Sequence, residues 1–350
     1  MKKIGLFALA FAVMFSSCNS GSKRSDSVKL SGAGATFPAP FYSIVFKNFS
    51  KTSGGEVTYG AVGSGGGIRS LKDKTVDFGA SDVFLSDDEA KEFGVPVVHI
   101  PTALGAVVLS YNLKGVSGLK LTAEVISEIY RGKITKWNDA KLTALNPGLA
   151  LPDKTITPVY RSDGSGTTFV FSDYMSKADA AWKAELGSGK SLKFATGVAA
   201  KGNPGVSGVV AETEGSIGYI GSEYALAQNI PSALVQNAAG KFIEATTASI
   251  SAAANVDIPA DTRLMITNSP NPEAYPISTF TWIIAYKEQK YGTHSEAKAK
   301  ALVALLSYVI SKEGQDVAAK THYAPLPEAA LAKTKAIIES ITFDGKVIGK

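Results

Sequence analysis

Three times this chain runs from a β-forming stretch into glycines mixed with a hydroxyl residue, then into apolar residues at helical spacing. The three turns centre on Thr36, Ser64 and Ser165. Strands that hand over directly to helices belong to α/β folds, and repeated alternation predicts mainly parallel sheets with ligands at the carboxyl ends of the strands. The central turn is Arg161-Ser162-Asp163-Gly164-Ser165-Gly166-Thr167, between a strand at 155–160 and a helix at 168–175. A helix start leaves backbone N–H groups without partners, and its dipole favours negative charge. With a guanidinium and hydroxyls beside it, such a turn suits an anion. Taken alone, each turn is more simply read as turn glycines and N-cap hydroxyls. Together, with an Arg beside one and an Asp at a neighbouring strand end, they form a more specific set.

The rest of the pattern follows the same alternation. Residues 28–31 read as a strand and 32–35 as a tight turn before a helix whose cap is Thr36 and whose first turn holds Pro38 and Pro40. A strand at 56–62 leads into a turn at 63–67 and a helix from Ile68. A strand at 76–82 ends on the carboxylate Asp82. Two strands are expected at 95–100 and 105–111, helices at 122–130, 138–145, 205–212, 223–228 and 246–255, strands at 216–220 and 277–286, and three terminal helices. At 350 residues the chain is long enough for two domains, each with its own core.

The N-terminus reads as an export signal. Met1-Lys2-Lys3 is basic, residues 4–15 are apolar but too short to span a bilayer, and Phe15-Ser16-Ser17-Cys18 ends on the only cysteine. This resembles the lipobox of bacterial lipoproteins, with Phe15 where Leu is usual. It implies a signal peptide at 1–17, a lipid on Cys18 and a Ser-rich flexible tether at 18–27. The body is then exported, to the periplasm or the cell surface, and held to the membrane through that lipid. The net charge of +5 is spread out, with no basic run of the kind that binds nucleic acid.

Several chemistries lack their signatures. No turn has the Lys-Ser/Thr ending of a P-loop, and Phe37 takes the place of the third glycine of a dinucleotide fingerprint. Asp163 takes the place of the first glycine of a serine-hydrolase elbow at Ser165. His99, His294 and His322 are far apart and lack metal-ligand spacing. Trp137, Trp182 and Trp282 read as packing residues, and Asp87-Asp88-Glu89 after Ser86 as a capped helical turn. No metal or cofactor is expected, and no catalytic residue.

Gly32-Ala33-Gly34-Ala35-Thr36-Phe37-Pro38-Ala39-Pro40, Gly63-Ser64-Gly65-Gly66, Val76-Asp77-Phe78-Gly79-Ala80-Ser81-Asp82 and Asp163-Gly164-Ser165-Gly166-Thr167 occur in this order. Lys201-Gly202-Asn203, Ile217-Gly218-Tyr219 and Tyr275-Pro276-Ile277-Ser278-Thr279 accompany them. From residue 28 onward the chain resembles the phosphate-binding proteins of bacterial high-affinity phosphate ABC importers, the PstS family.

The resemblance implies a two-lobed periplasmic-binding-protein (Venus flytrap) fold. Lobe I would be 28–112 plus 280–350 and lobe II 113–279, with hinge crossings near 111–112 and 277–279. It implies an exported, non-enzymatic monomer that binds inorganic phosphate and delivers it to an inner-membrane permease with its ATPase subunit. Thr36, Phe37 and Ser64 would offer hydroxyls and N–H groups from one lobe, and Ser165, Gly166 and Thr167 from the other. Arg161 would bind the oxyanion, held by Asp163, and Asp82 would accept a hydrogen bond from the ligand. Phosphate carries a proton near neutrality and sulfate does not, so a site built around that bond can reject sulfate by on the order of 10⁴–10⁵. Arsenate also carries a proton, so this does not exclude it. Other tetrahedral oxyanions, or a phosphatase-like surface enzyme, are the alternatives.

Overall fold

A computed structural model describes residues 28–53 and 55–349. The expected signal peptide, Cys18 and the tether lie outside the described residues. Eight strands form one continuous sheet: β1 Lys29–Gly34, β2 Glu56–Ala61, β3 Phe78–Ser81, β4 Val97–Tyr111, β5 Thr157–Arg161, β6 Val198–Ala200, β7 Ser216–Gly221 and β8 Ser278–Tyr286. Their order across the sheet is β2-β1-β3-β8-β4-β7-β5-β6. The helices that border the site are α1 Ala39–Ser53, α2 Ser64–Lys72, α3 Gly166–Ala178, α4 Gly202–Glu212 and α5 Ser222–Ala227.

The expected parallel pairing holds within each half. β1 is parallel to β2 and β3, and β5 is parallel to β6 and β7. Every antiparallel pairing in this sheet involves β4 or β8. These two strands join the halves. β4 pairs with β8 up to Ala106 and with β7 from Val107 onward. At that switch Val107 N donates to Ile277 O at 2.9 Å, so the two crossing segments run side by side.

Three local expectations fail, each for a reason of packing. The two strands expected around Pro101 are one 15-residue strand. The register against β8 slips between Thr281 and Trp282, so Thr102 bulges, and the proline sits at that bulge, where prolines are tolerated within sheets. Gly32 and Gly34 lie in β1 rather than in a turn; a Cβ on Gly32 would sit 2.1 Å from the Phe78 ring. Likewise α2 begins at Ser64, not Ile68, and takes in three glycines. A Cβ on Gly67 would meet Gly34 Cα at 2.3 Å, so the glycines let this helix lie directly on β1. Their helix-weakening effect, roughly 1 kcal/mol each against Ala, is accepted for that close approach.

Each half has an aromatic core. Phe41, Tyr42, Phe46, Phe78 and Tyr323 pack under α1, while Tyr130, Phe171, Trp182, Phe194 and Tyr219 pack under α3. Burying each such ring is worth roughly 1.5–3 kcal/mol. The three tryptophans are fully buried, and buried His99 accepts from Leu85 N at 3.0 Å, a structural role. The expected capped turn at Ser86 is present, and Ser86 and Glu89 close it as a capping box. The short helix Ala180–Glu185 was not read from the sequence, nor were a small three-stranded sheet and a C-terminal hairpin, whose strands of two or three residues are too short to show a period. Residues 261–263, placed in the second lobe by the expected boundaries, also bond to residues of the first: Thr262 Oγ1 donates to His99 O at 3.0 Å and Arg263 pairs with Asp87.

Candidate functional site

Where the halves meet, the three glycine–hydroxyl turns face one another. Thr36 and Phe37 follow β1, Ser64 starts α2, and Asp82 follows β3. Opposite them, Arg161 ends β5, Ser165 caps α3, and Gly166 and Thr167 open that helix. All of these side chains are buried, Ser64, Ser165 and Thr167 completely. The sequence-derived residues therefore converge on one place, with Cys18 outside the described residues.

The hydroxyls share one feature. Thr36 Oγ1 accepts from Asn203 N and Asn203 Nδ2, each at 3.0 Å. Ser64 Oγ accepts from Gly166 N at 3.1 Å and Asp82 N at 3.4 Å. Thr167 Oγ1 accepts from Arg161 Nη1 at 3.3 Å and Asn203 Nδ2 at 3.1 Å. Ser165 Oγ caps the helix by accepting from Thr168 N at 3.0 Å. A hydroxyl whose lone pairs are engaged in this way has its proton left to give. Phe37, Ser64 and Thr167 add backbone N–H groups that no acceptor among the described residues takes up. The Phe37 ring is locked between Gly105 and Tyr323, which fixes the direction of its peptide.

The charged groups divide the labour. Arg161 Nε and Nη2 form a two-pronged bond to Asp163, at 2.8 and 2.5 Å. Asp163 also accepts from Gly202 N at 2.9 Å. Burial acts to raise its pKa, but the Arg161 bonds and charge and the Gly202 N–H outweigh it and hold the carboxyl below its ordinary value. Asp82 is the reverse case. Burial pushes its pKa up to about 7, and the Thr281 hydroxyl and the Arg161 charge counter this only in part. Thr281 Oγ1 donates to Asp82 Oδ1 at 2.9 Å.

The halves touch through backbone as well. Gly65 N donates to Gly164 O at 2.9 Å, and a Cβ on Gly166 would fall 2.4 Å from Ser64 Oγ and 2.8 Å from Asp82 Oδ2. Only glycine permits that approach. Asn203 was missed as a site residue although it ties the halves together, reaching Thr36 and Thr167 while its Oδ1 accepts from Gly221 N at 3.0 Å. Its signal was present: Lys201-Gly202-Asn203 is a fourth strand–glycine–helix turn, with Gly202 at φ +69°. Tyr224 was also missed; its hydroxyl crosses to Thr36 O at 2.5 Å, and so polarises the peptide that carries the Phe37 N–H.

Residues 19–313 match the PBP superfamily domain. A phosphate-binding protein PstS of Xylella fastidiosa is 41% identical over 310 residues, 87% of this chain and 83% of that one. That of Haemophilus influenzae is 36% identical over 341 residues, 96% of this chain and 97% of that one. The chain belongs to the PstS family. A solved phosphate-binding protein from Stenotrophomonas maltophilia, 20% identical, superposes with a TM-score of 0.70 over 89% of this chain and 94% of that one. This likeness is one of fold: the two halves joined by β4 and β8 are the two lobes of a periplasmic-binding-protein fold.

Proposed function

We propose that this protein captures inorganic phosphate between its lobes and delivers it to the permease of an ABC-type phosphate importer, with its ATPase subunit. The observation that carries this reading is the donor set: four buried hydroxyls left to donate, free N–H groups and Arg161, against the single acceptor Asp82. Donors alone cannot separate phosphate from sulfate. An acceptor requires the ligand to bring a proton, which phosphate does and sulfate does not. Thr36, Phe37 and Ser64 serve from one lobe; Arg161, Ser165, Gly166 and Thr167 serve from the other, with Asp163 holding Arg161 and Asn203 bridging both. The names of the family relatives support the ligand.

The lobes are assigned as 28–112 plus 280–350 and 113–279, with the hinge where β4 changes partner and where β8 begins. A ligand touching both lobes stabilises the closed form by differential contact. Its role is binding rather than catalysis, and it acts as a monomer. It is exported to the periplasm or cell surface and held to the membrane by lipid on Cys18. Among the described residues no helix is long and apolar enough to cross a membrane. Calorimetric titration of the detergent-solubilised full chain with phosphate, sulfate and arsenate tests the reading. Tight phosphate binding with weak sulfate binding is expected; equal affinities for the two would overturn it.

A further inference from the structure

A second buried carboxyl lies in the same interface. Glu223, near the start of α5, is 5% exposed, and neither of its side-chain oxygens meets a hydrogen-bond donor. The carboxyl folds back over Gly221, where a Cβ would sit 2.1 Å from Oε1, so the glycine makes room for it. Its surroundings come from both lobes. Tyr323, from the first, donates to Phe37 O at 2.5 Å and lies beside the Glu223 carboxyl. The adjacent Tyr224, from the second, bonds Thr36 O. Thus Glu223 sits behind the peptides that present the Thr36 hydroxyl and the Phe37 N–H.

The titratable groups facing it are Asp82, after β3, with Tyr224 and Tyr323; Arg161 acts on Asp82 and Tyr224. Among the described residues no cation is paired with it. A carboxylate charge buried there without donors would be heavily penalised, whereas with the lobes apart water can solvate it. We propose that the cleft closes on a protonated Glu223, so that phosphate capture takes up a proton from solvent at this residue, which makes Glu223 a positioning residue that couples closure to pH. The inference rests on the proposed phosphate reading.

Burial pushes Glu223 up to about 8 in this closed arrangement. Between the ordinary carboxylate range and that value, closure binds a proton that the open form does not hold. Affinity is therefore lost as pH rises across this window, by up to about tenfold per pH unit.

The test is calorimetric titration of the full chain with phosphate in buffers of differing ionisation heat, for the wild type and Glu223→Gln. Phosphate and Asp82 titrate in both, so the difference isolates Glu223. The wild type should take up about one more proton than the variant, and the ratio of its Kd to that of E223Q should climb about tenfold per pH unit. Equal proton counts with parallel pH profiles would overturn the proposal while leaving phosphate binding intact; no phosphate heat at all would remove both. Should E223Q misfold, infrared difference spectra on adding saturating phosphate serve instead. A protonated-carboxyl band that persists in Asp82→Asn supports Glu223, and its absence there overturns the role.

Discussion

Asp163 and Asp82 are carboxyls of one cleft, one on each side, the first partly buried and the second fully buried, and their surroundings push them in opposite directions. Asp163 is saturated with donors: the Arg161 fork and the Gly202 N–H. It is ionised and fixed, and what it fixes is a guanidinium. Asp82 keeps one side-chain donor, Thr281, on Oδ1, and its pKa rises to about 7. A carboxyl left short of donors is one that a protonated ligand can complete. The same residue type thus builds the site on one side and discriminates on the other, according to how many hydrogen bonds the fold has already supplied.

Breaking the discriminating side should give the largest effect. Asp82→Asn is expected to lower the phosphate-to-sulfate affinity ratio by up to on the order of 10⁴, and to lower phosphate affinity by much less. Competitive calorimetry measures both, and an unchanged ratio would refute the role given to Asp82. Breaking the building side comes next. Arg161→Ala removes the guanidinium and leaves the partly buried Asp163 with only the Gly202 N–H, and should weaken phosphate binding by about 2–5 kcal/mol. If phosphate affinity hardly moves, the guanidinium does not face the ligand.

Gly166→Ala probes the line where the sides meet. Its methyl would overlap Ser64 Oγ, so affinity should fall by about 1–3 kcal/mol while the melting temperature barely changes. A large loss of melting temperature with normal affinity would place the strain in the fold instead.

The smallest effect is in pH. Asp82 holds its proton more tightly in the folded protein than unfolded, so ligand-free stability should decline as pH rises from the ordinary carboxylate range through about 7, by at most about 1.4 kcal/mol per unit. Asp163 acts the other way: its contribution is present above its ordinary pKa and is lost as pH falls through its lowered value. Denaturant unfolding across pH should therefore show a neutral-side decline that Asp82→Asn flattens and an acid-side decline that it leaves alone. A flat neutral side in the wild type would count against the burial argument for Asp82.

What the sequence determined by itself was local. The strand-to-helix handovers at Thr36, Ser64 and Ser165, the Arg161–Asp163 spacing and the caps at Ser86 and Ser165 depend on residues a few positions apart, and each is present in the structure. Ordered motifs resembling a known family extended this to the lobes. The tertiary structure decided the rest. The continuity of β4 through Pro101 depends on a bulge against a strand 181 positions away, as Trp282 faces Pro101. The Asn203–Thr36 bridge spans 167 positions and the Thr281–Asp82 bond spans 199. The burial that separates Asp82 and Glu223 from ordinary carboxyls exists only once the chain has folded. A local pattern can say that a helix start will offer donors. It cannot say which acceptors on distant strands will already have taken them, and the selectivity of the cleft turns on that count.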